Sequence, residues 1–275
     1  MKLILPDALD TATIAATPSW LPTMPIDNML GTIRGGRSRT PSAGSFSITL
    51  TWPLLVQLGG LAMTDHNLTP SAQWRLRLYA DNFLTTLVYD SGTIAVSRPK
   101  RLDELAWGRE PLGATIYTGW AQKVGVLWFG PLLAAGAVLD IEDSGNPDGY
   151  LQARRLFLGP VVEFEQEWGI KLGWATNSKQ TRLDGGALAT EVKSTYRSIN
   201  ADLRLMPAQA ASTLREIART VGISREVFVS AYPQWSLGTT LERDAQCAMQ
   251  FTQIPTMSHQ HPSRFDSSFQ LEEAL

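Results

Sequence analysis

A single cysteine, Cys247, in 275 residues leaves nothing for an intrachain disulfide and nothing for a cysteine-rich metal site. Charge is also scarce. Asp, Glu, Lys and Arg make up 18% of the chain, against about 25% in ordinary globular domains. The formal net charge of −2 supplies no general field that would gather nucleic acid or an anionic membrane. Long apolar runs are missing too. The longest interval, Val124 to Leu139, is broken by Gly125, Gly130, Pro131 and Gly136, and reads as buried strands joined by a turn rather than as a membrane span. The opening MKLILPDALD reaches acidic residues after a few apolar ones, too soon for a signal peptide, so cytoplasmic synthesis is expected. Neither Gly35-Gly36 nor Gly59-Gly60 belongs to a phosphate-cradling G-x-x-x-x-G-K-[ST] loop, and Gly44-Ser45 lacks the glycines of a hydrolase nucleophile elbow.

What is abundant is turn-forming and sheet-forming sequence: 22 Gly, 16 Pro and nine Trp. SFSITL at Ser45–Leu50 alternates with period two and continues through Trp52, Leu54 and Val56, with Pro53 marking an edge or bulge. WRLRLYA alternates again. It places Trp74, Leu76, Leu78 and Ala80 inward and Arg75, Arg77 and Tyr79 outward. Tyr150–Leu158 adds a strand, and SGNPDG before it is a strong turn. Beyond Pro160, strands are expected at Val161–Trp168, Lys171–Asn177 and Leu188–Met206. Ala211, Leu214, Ile217, Ala218 and Val221 recur at three and four, so Ala208–Val221 reads as one amphipathic helix, opened by Pro207 and closed by Gly222. The fold class is therefore mostly β: a sandwich over residues 1–160, a smaller α+β assembly region over 161–254, and a polar tail over 255–275 that orders only against a neighbour.

Few residues suggest chemistry. His66 and Asn67 lie in a loop, as structural hydrogen-bonding groups or as ligand contacts, and no base, nucleophile or carboxylate can be assigned to complete a catalytic pair with His66. Asp140, Glu142, Asp143 and Asp148 either supply oxygens to a divalent ion or are solvated side chains. The strand carboxylates Glu163, Glu165 and Glu167 read as a wetted or interface face. His259 and His261 lack the further ligands a metal needs. Trp52, Trp107, Trp120, Trp128, Trp168 and Trp174 either fill cores and interfaces or offer sugar platforms, with Trp107 in the loop-like LAWGREP the best exposed of them. Leu156, Leu158, Trp168, Trp174, Leu214 and Ile217 join Trp74, Leu76 and Leu78 as core or interface positions. No cofactor is implied.

Two resemblances add to this reading. PIDNML at Pro25–Leu30, LGGLAMTDHNLTPSAQWRLRLYAD at Leu58–Asp81 and YLQARRLFLG at Tyr150–Gly159 resemble a discoidin-like, galactose-binding-like jelly roll. In that fold the closing strand would bury Leu151, Ala153, Leu156 and Leu158 around a bulge at Arg154 and Arg155. NPDGYLQARRLFLGP at Asn146–Pro160, EWGIKLGW at Glu167–Trp174 and GISREVFVSAYP at Gly222–Pro233 are similar to tail-tip and baseplate structural proteins (distal-tail-like) of long-tailed bacteriophages. That resemblance implies a non-enzymatic virion component assembled in the host cytoplasm. Its partners would be other tail or baseplate proteins, in a homo-oligomer or ring contacted through residues 161–250. The alternatives are a module that binds a host surface glycan and a glycan-degrading enzyme with paired carboxylates.

Overall fold

The alternation of Ser45–Trp52 buries Phe46, Ile48, Leu50 and Trp52 and turns the serine and threonine positions outward, as a half-buried strand requires. The computed structural model describes residues 1–275 apart from 31–35, 119, 121, 165–168, 183, 234–238, 262 and 275. The chain is mostly β and divides into two units, Met1–Glu163 with Val227–Cys247 and Phe164–Glu226 with Ala248–Leu275.

The first unit is organised by two long antiparallel strands, Ser45–Thr64 and Val124–Glu142. Their paired register slips between Thr51 and Val56 and again between Leu58 and Gly60, so the ribbon has two halves. In one half, residues 45–51 and 136–142 pair onward with Thr13–Thr17 on one side and Gln73–Tyr79 on the other. In the other, residues 60–64 pair with Arg155–Gly159. Both halves feed one hydrophobic core: Phe46, Ile48, Trp74, Leu76, Leu78, Leu139 and Ile141 from the first half meet Leu58, Leu61, Met63, Leu156 and Leu158 from the second. That is a β-sandwich. The expected turn inside Val124–Leu139 is thus a bulge in a single strand, Phe129, Gly130 and Pro131 standing opposite Gly59.

In the second half of the ribbon Leu58–Thr64 is buried on both faces, because Lys2–Ile4 lies over it, paired with Val161–Glu163 and with Val227–Ser230. Glycine is required there: a Cβ on Gly60 would lie 2.9 Å from Val161 Cγ2 and 3.0 Å from Ile4 Cδ1. Two expectations are corrected in Gln73–Tyr79. The pairing with Leu87–Asp90 shifts between Leu78 and Tyr79, so Tyr79 is buried and Ala80 is exposed, the reverse of a strict alternation.

The second unit is a smaller α+β region. Ala208–Val221 is the helix, with Pro207 at its N-cap and Gly222 at its C-cap at φ +57°, a backbone state for which glycine is suited. Ala211, Leu214, Ile217, Ala218 and Val221 are buried in the same unit as Ile199, Leu203, Phe269 and Leu271. Strand Thr195–Pro207 pairs with Ile170–Thr176 on one side and with Arg264–Glu273 on the other. The supposed free tail is therefore part of the sheet: Arg264–Glu273 also pairs with Met249–Phe251 and with Thr256–His261. Phe269 and Leu271 are 3% and 0% exposed, which explains why a segment of mostly polar composition is held in place. Among the described residues no helix is long and apolar enough to cross a membrane.

Candidate functional site

Three cross-strand rows define an outward face of the first sheet half. Ser45, Glu142 and Gln73 are aligned, then Phe46, Ile141 and Trp74, then Ser47, Asp140 and Arg75. Because side chains alternate, the middle row goes into the core and the two polar rows share the opposite face. With Thr17 and Thr93 they line an open concavity of about 330 Å³.

The face is electrostatically prearranged. Arg75 donates from Nε to Asp90 Oδ1 at 2.8 Å and from Nη2 to Oδ2. That grip, helped by the Gly92 amide, holds the Asp90 carboxyl well below the usual carboxylate range. Asp140 accepts from Arg77 Nη2 on one oxygen and from Ser47 Oγ on the other, so it is fixed between two strands. Glu142, Gln73, Ser45, Thr17 and Thr93 stand exposed around these fixed groups. Such a surface offers donors and acceptors at set spacings to a hydroxyl-rich ligand. It is poorly suited to acid catalysis. Asp140 and Glu142 are two residues apart on one strand face, but a general acid needs a carboxyl kept protonated by its surroundings. Asp140 is held by an arginine and Glu142 stands in solvent.

The residues singled out from sequence are dispersed. His66 is 3% exposed, and its Nδ1 accepts from the Leu68 amide at 3.2 Å. Burial, with Lys123 nearby, lowers its pKa to about 3. Asn67 donates to Asp148 Oδ2 at 2.8 Å and to the Tyr150 carbonyl at 3.0 Å, and accepts from the Gln152 amide at 2.8 Å. Both residues weld loops together. The acidic residues diverge likewise: Asp143 is buried and accepts from Thr69 N, Thr69 Oγ1 and Asn146 Nδ2, while Asp148 is taken up by Asn67. Among the described residues no group of three or more His, Cys, Asp or Glu converges as a metal would require. His259 stacks on Phe265 with ring centroids 4.7 Å apart, and the His261 side chain lies outside the described residues.

Trp107 is 74% exposed, in a segment where Leu102 and Leu112 are also exposed and where Lys100 pairs with Glu110. Trp52 and Trp74 are core residues. Trp120 lies under the Arg243 guanidinium at 4.0 Å, Trp128 packs at 6.2 Å from Phe228, and Trp174 is exposed on Ile170–Thr176. Trp168, Glu165 and Glu167 lie outside the described residues; Glu163 pairs with Lys2 at 3.5 Å. Leu156, Leu158, Leu214 and Ile217 are fully or almost fully buried.

Sequence reasoning passed over Glu242. It is buried, with Ser230 Oγ 3.5 Å from its Oε1, and burial pushes its carboxyl up to about 8 against the opposing pull of Arg98. The run LERD carries no local signal that would mark one of its carboxylates as buried.

No family model matches the chain, and no curated protein matches it. Solved structures do. A family 32 carbohydrate-binding module of Clostridium perfringens NanJ in complex with galactose aligns at 14% identity and TM-score 0.36, over 57% of this chain and 98% of that one. A second such module, from a family 31 glycoside hydrolase of the same organism, aligns at 13% and 0.38, over 55% and 92%. A Ruminococcus gnavus family 29 fucosidase in complex with fucose gives 9% and 0.38, over 58% of this chain and 28% of the enzyme. At such identities and scores the likeness carries neither function nor residue correspondence. These neighbours are carbohydrate-binding modules and a glycosidase rather than phage tail or baseplate proteins, which corrects the expectation of a bacteriophage virion component.

Proposed function

We propose that this chain is a non-enzymatic carbohydrate-binding module whose ligand rests in the concavity formed by the two polar rows. The observation that carries the reading is the register itself. Ser45, Glu142 and Gln73 lie two residues along their strands from the fixed Ser47, Asp140 and Arg75, so hydrogen-bonding groups are spread over three strands of a rigid sheet. Sugars are recognised by such preorganised polar groups, since ordering flexible side chains on binding erodes affinity. Arg75 and Asp140 are already ordered by their own partners. Glu142 and Gln73 present the free ends that would meet vicinal hydroxyls.

The test is an array of soluble oligosaccharides followed by calorimetry on any hit. Glu142→Ala and Gln73→Ala are each expected to weaken the hit by about tenfold or more, equivalent to about 1.4 kcal/mol, with melting unchanged. Absence of any hit, or full affinity in both variants, overturns the proposal. Affinity lost only in Trp107→Ala would relocate the ligand to the exposed loop.

A further inference from the structure

Residues 98–120 form a long excursion from the first unit, closed at its base. There the Lys100 amide donates to the Ala114 carbonyl at 2.9 Å and the Ile116 amide to the Arg98 carbonyl at 3.2 Å. Leu102, Trp107 and Leu112 are exposed along it, whereas Ala114, Thr115, Ile116 and Tyr117 are buried. Residues 239–247 of the same unit grip that buried limb. Arg243 Nη1 donates to the Ile116 carbonyl at 3.2 Å, and Gln246 Nε2 donates to the Tyr117 hydroxyl at 2.6 Å. The Arg243 guanidinium also covers the Trp120 ring at 4.0 Å.

Glu242, next to Arg243 on the helix Thr239–Asp244, is fully buried beside this grip. Ser230 Oγ stands 3.5 Å from its Oε1, and its Oε2, also buried, has no hydrogen-bond partner among the described residues. Arg98, at the base of the excursion, is the charge set against it. The neighbouring charges are otherwise engaged: Arg243 Nε donates to Asp244 Oδ1 at 2.8 Å, and Lys100 pairs with Glu110. A carboxyl so placed is tolerated as the neutral acid. As an anion with an unpartnered oxygen it carries a large desolvation cost.

We propose that the grip of residues 239–247 on the excursion is a pH-sensitive clasp, closed while Glu242 is neutral and loosened when Glu242 ionises. Loosening frees the segment that carries Trp107. Burial keeps the closed carboxyl neutral up to about pH 8, although Arg98 pulls the other way. In the opened clasp the carboxyl returns towards its ordinary 4.5. The clasp is therefore firmest below pH 4.5 and weakens as pH rises through about 8. Between those limits each pH unit raises the ratio of open to closed by about tenfold, and above them the ratio levels off. The proposal is independent of the sugar-binding reading, because none of the concavity's residues belongs to the clasp.

Hydrogen exchange read by mass spectrometry on the full chain between about pH 5 and 9, corrected for the intrinsic exchange rate, tests it. Peptides from residues 98–120 should lose protection by about tenfold per pH unit and level off near pH 8, while Ser45–Thr64 stays protected. Glu242→Gln should flatten the profile. Arg98→Met, which removes the opposing pull, should move the levelling-off to higher pH, and it decides the matter should Glu242→Gln not fold. A pH-independent profile in the unaltered protein overturns the proposal, as does loosening that persists in Glu242→Gln. Equal loss of protection in Ser45–Thr64 overturns it too, since the whole unit then opens rather than the clasp.

Discussion

Arg197 and Glu273 form an ion pair whose side chains are 4% and 5% exposed, on strands that pair one residue away, at Ser198↔Glu272. The Arg197 amide donates to the same carboxylate at 3.0 Å. A buried charge is tolerable only while its partner is present. Arg197→Met should therefore destabilise the second unit by about 3–5 kcal/mol, and adding Glu273→Leu should restore most of the loss. Guanidinium unfolding of the two variants checks this; an unchanged midpoint in the single variant would show that Glu273 does not depend on Arg197.

Two groups of the first unit give its stability a pH profile. His66 has a folded pKa lowered to about 3 from an ordinary 6.5, so its contribution is present above pH 6.5 and lost as pH falls through about 3. Glu242 has one raised to about 8 from 4.5, so its contribution is full below pH 4.5 and lost as pH rises through about 8. Melting temperature followed against pH should lose part of its acid slope in His66→Gln. The decline between pH 4.5 and 8 should be reduced in Glu242→Gln.

Gly159 approaches the backbone too closely for any side chain. A Cβ there would lie 2.2 Å from the Leu5 carbonyl oxygen, and Leu5 is itself tied to the Pro160 carbonyl at 3.1 Å. Gly159→Ala should cost about 1–3 kcal/mol or more. Gly145→Ala, with nothing within 4 Å of its added Cβ, should stay within about 0.5 kcal/mol. Parallel thermal melts decide it, and equal losses would mean that Gly159 is not constrained.

Termination after Pro255 removes both Thr256–His261 and Arg264–Glu273 and with them Phe269 and Leu271 from the core. The truncated chain should be cut readily by protease within residues 164–226, where the intact protein resists. Equal resistance would mean that the final strands are dispensable.

The helix was legible to the residue because its apolar stripe, its opening proline and its closing glycine agree. The strands Ser45–Trp52 and Gln73–Leu78 were legible because their inward positions are large and apolar. Arg264–Glu273 was missed for a physical reason. Its inward positions are Ser267, Phe269 and Leu271, so a buried serine interrupts the alternation and Gln and Glu dilute it. The concavity could not be read at all. It depends on which residue of Val124–Glu142 stands opposite which residue of two other strands, a matter of register between distant segments for which no local motif exists.

The chain leaves its first unit after Glu163 and re-enters it at Val227, where Val227–Ser230 pairs with Lys2–Ile4. During synthesis this has a cost in time. At ~5–20 residues per second the ribosome needs on the order of 10–45 s between Ile4 and Val227. Through that interval the nascent Leu3 and Ile4, both 0% exposed in the finished protein, wait without one of their two strand neighbours. The strand Lys2–Ile4 is thus among the last parts of its unit to be sealed, and a chaperone that shields nascent apolar segments would have its longest engagement there.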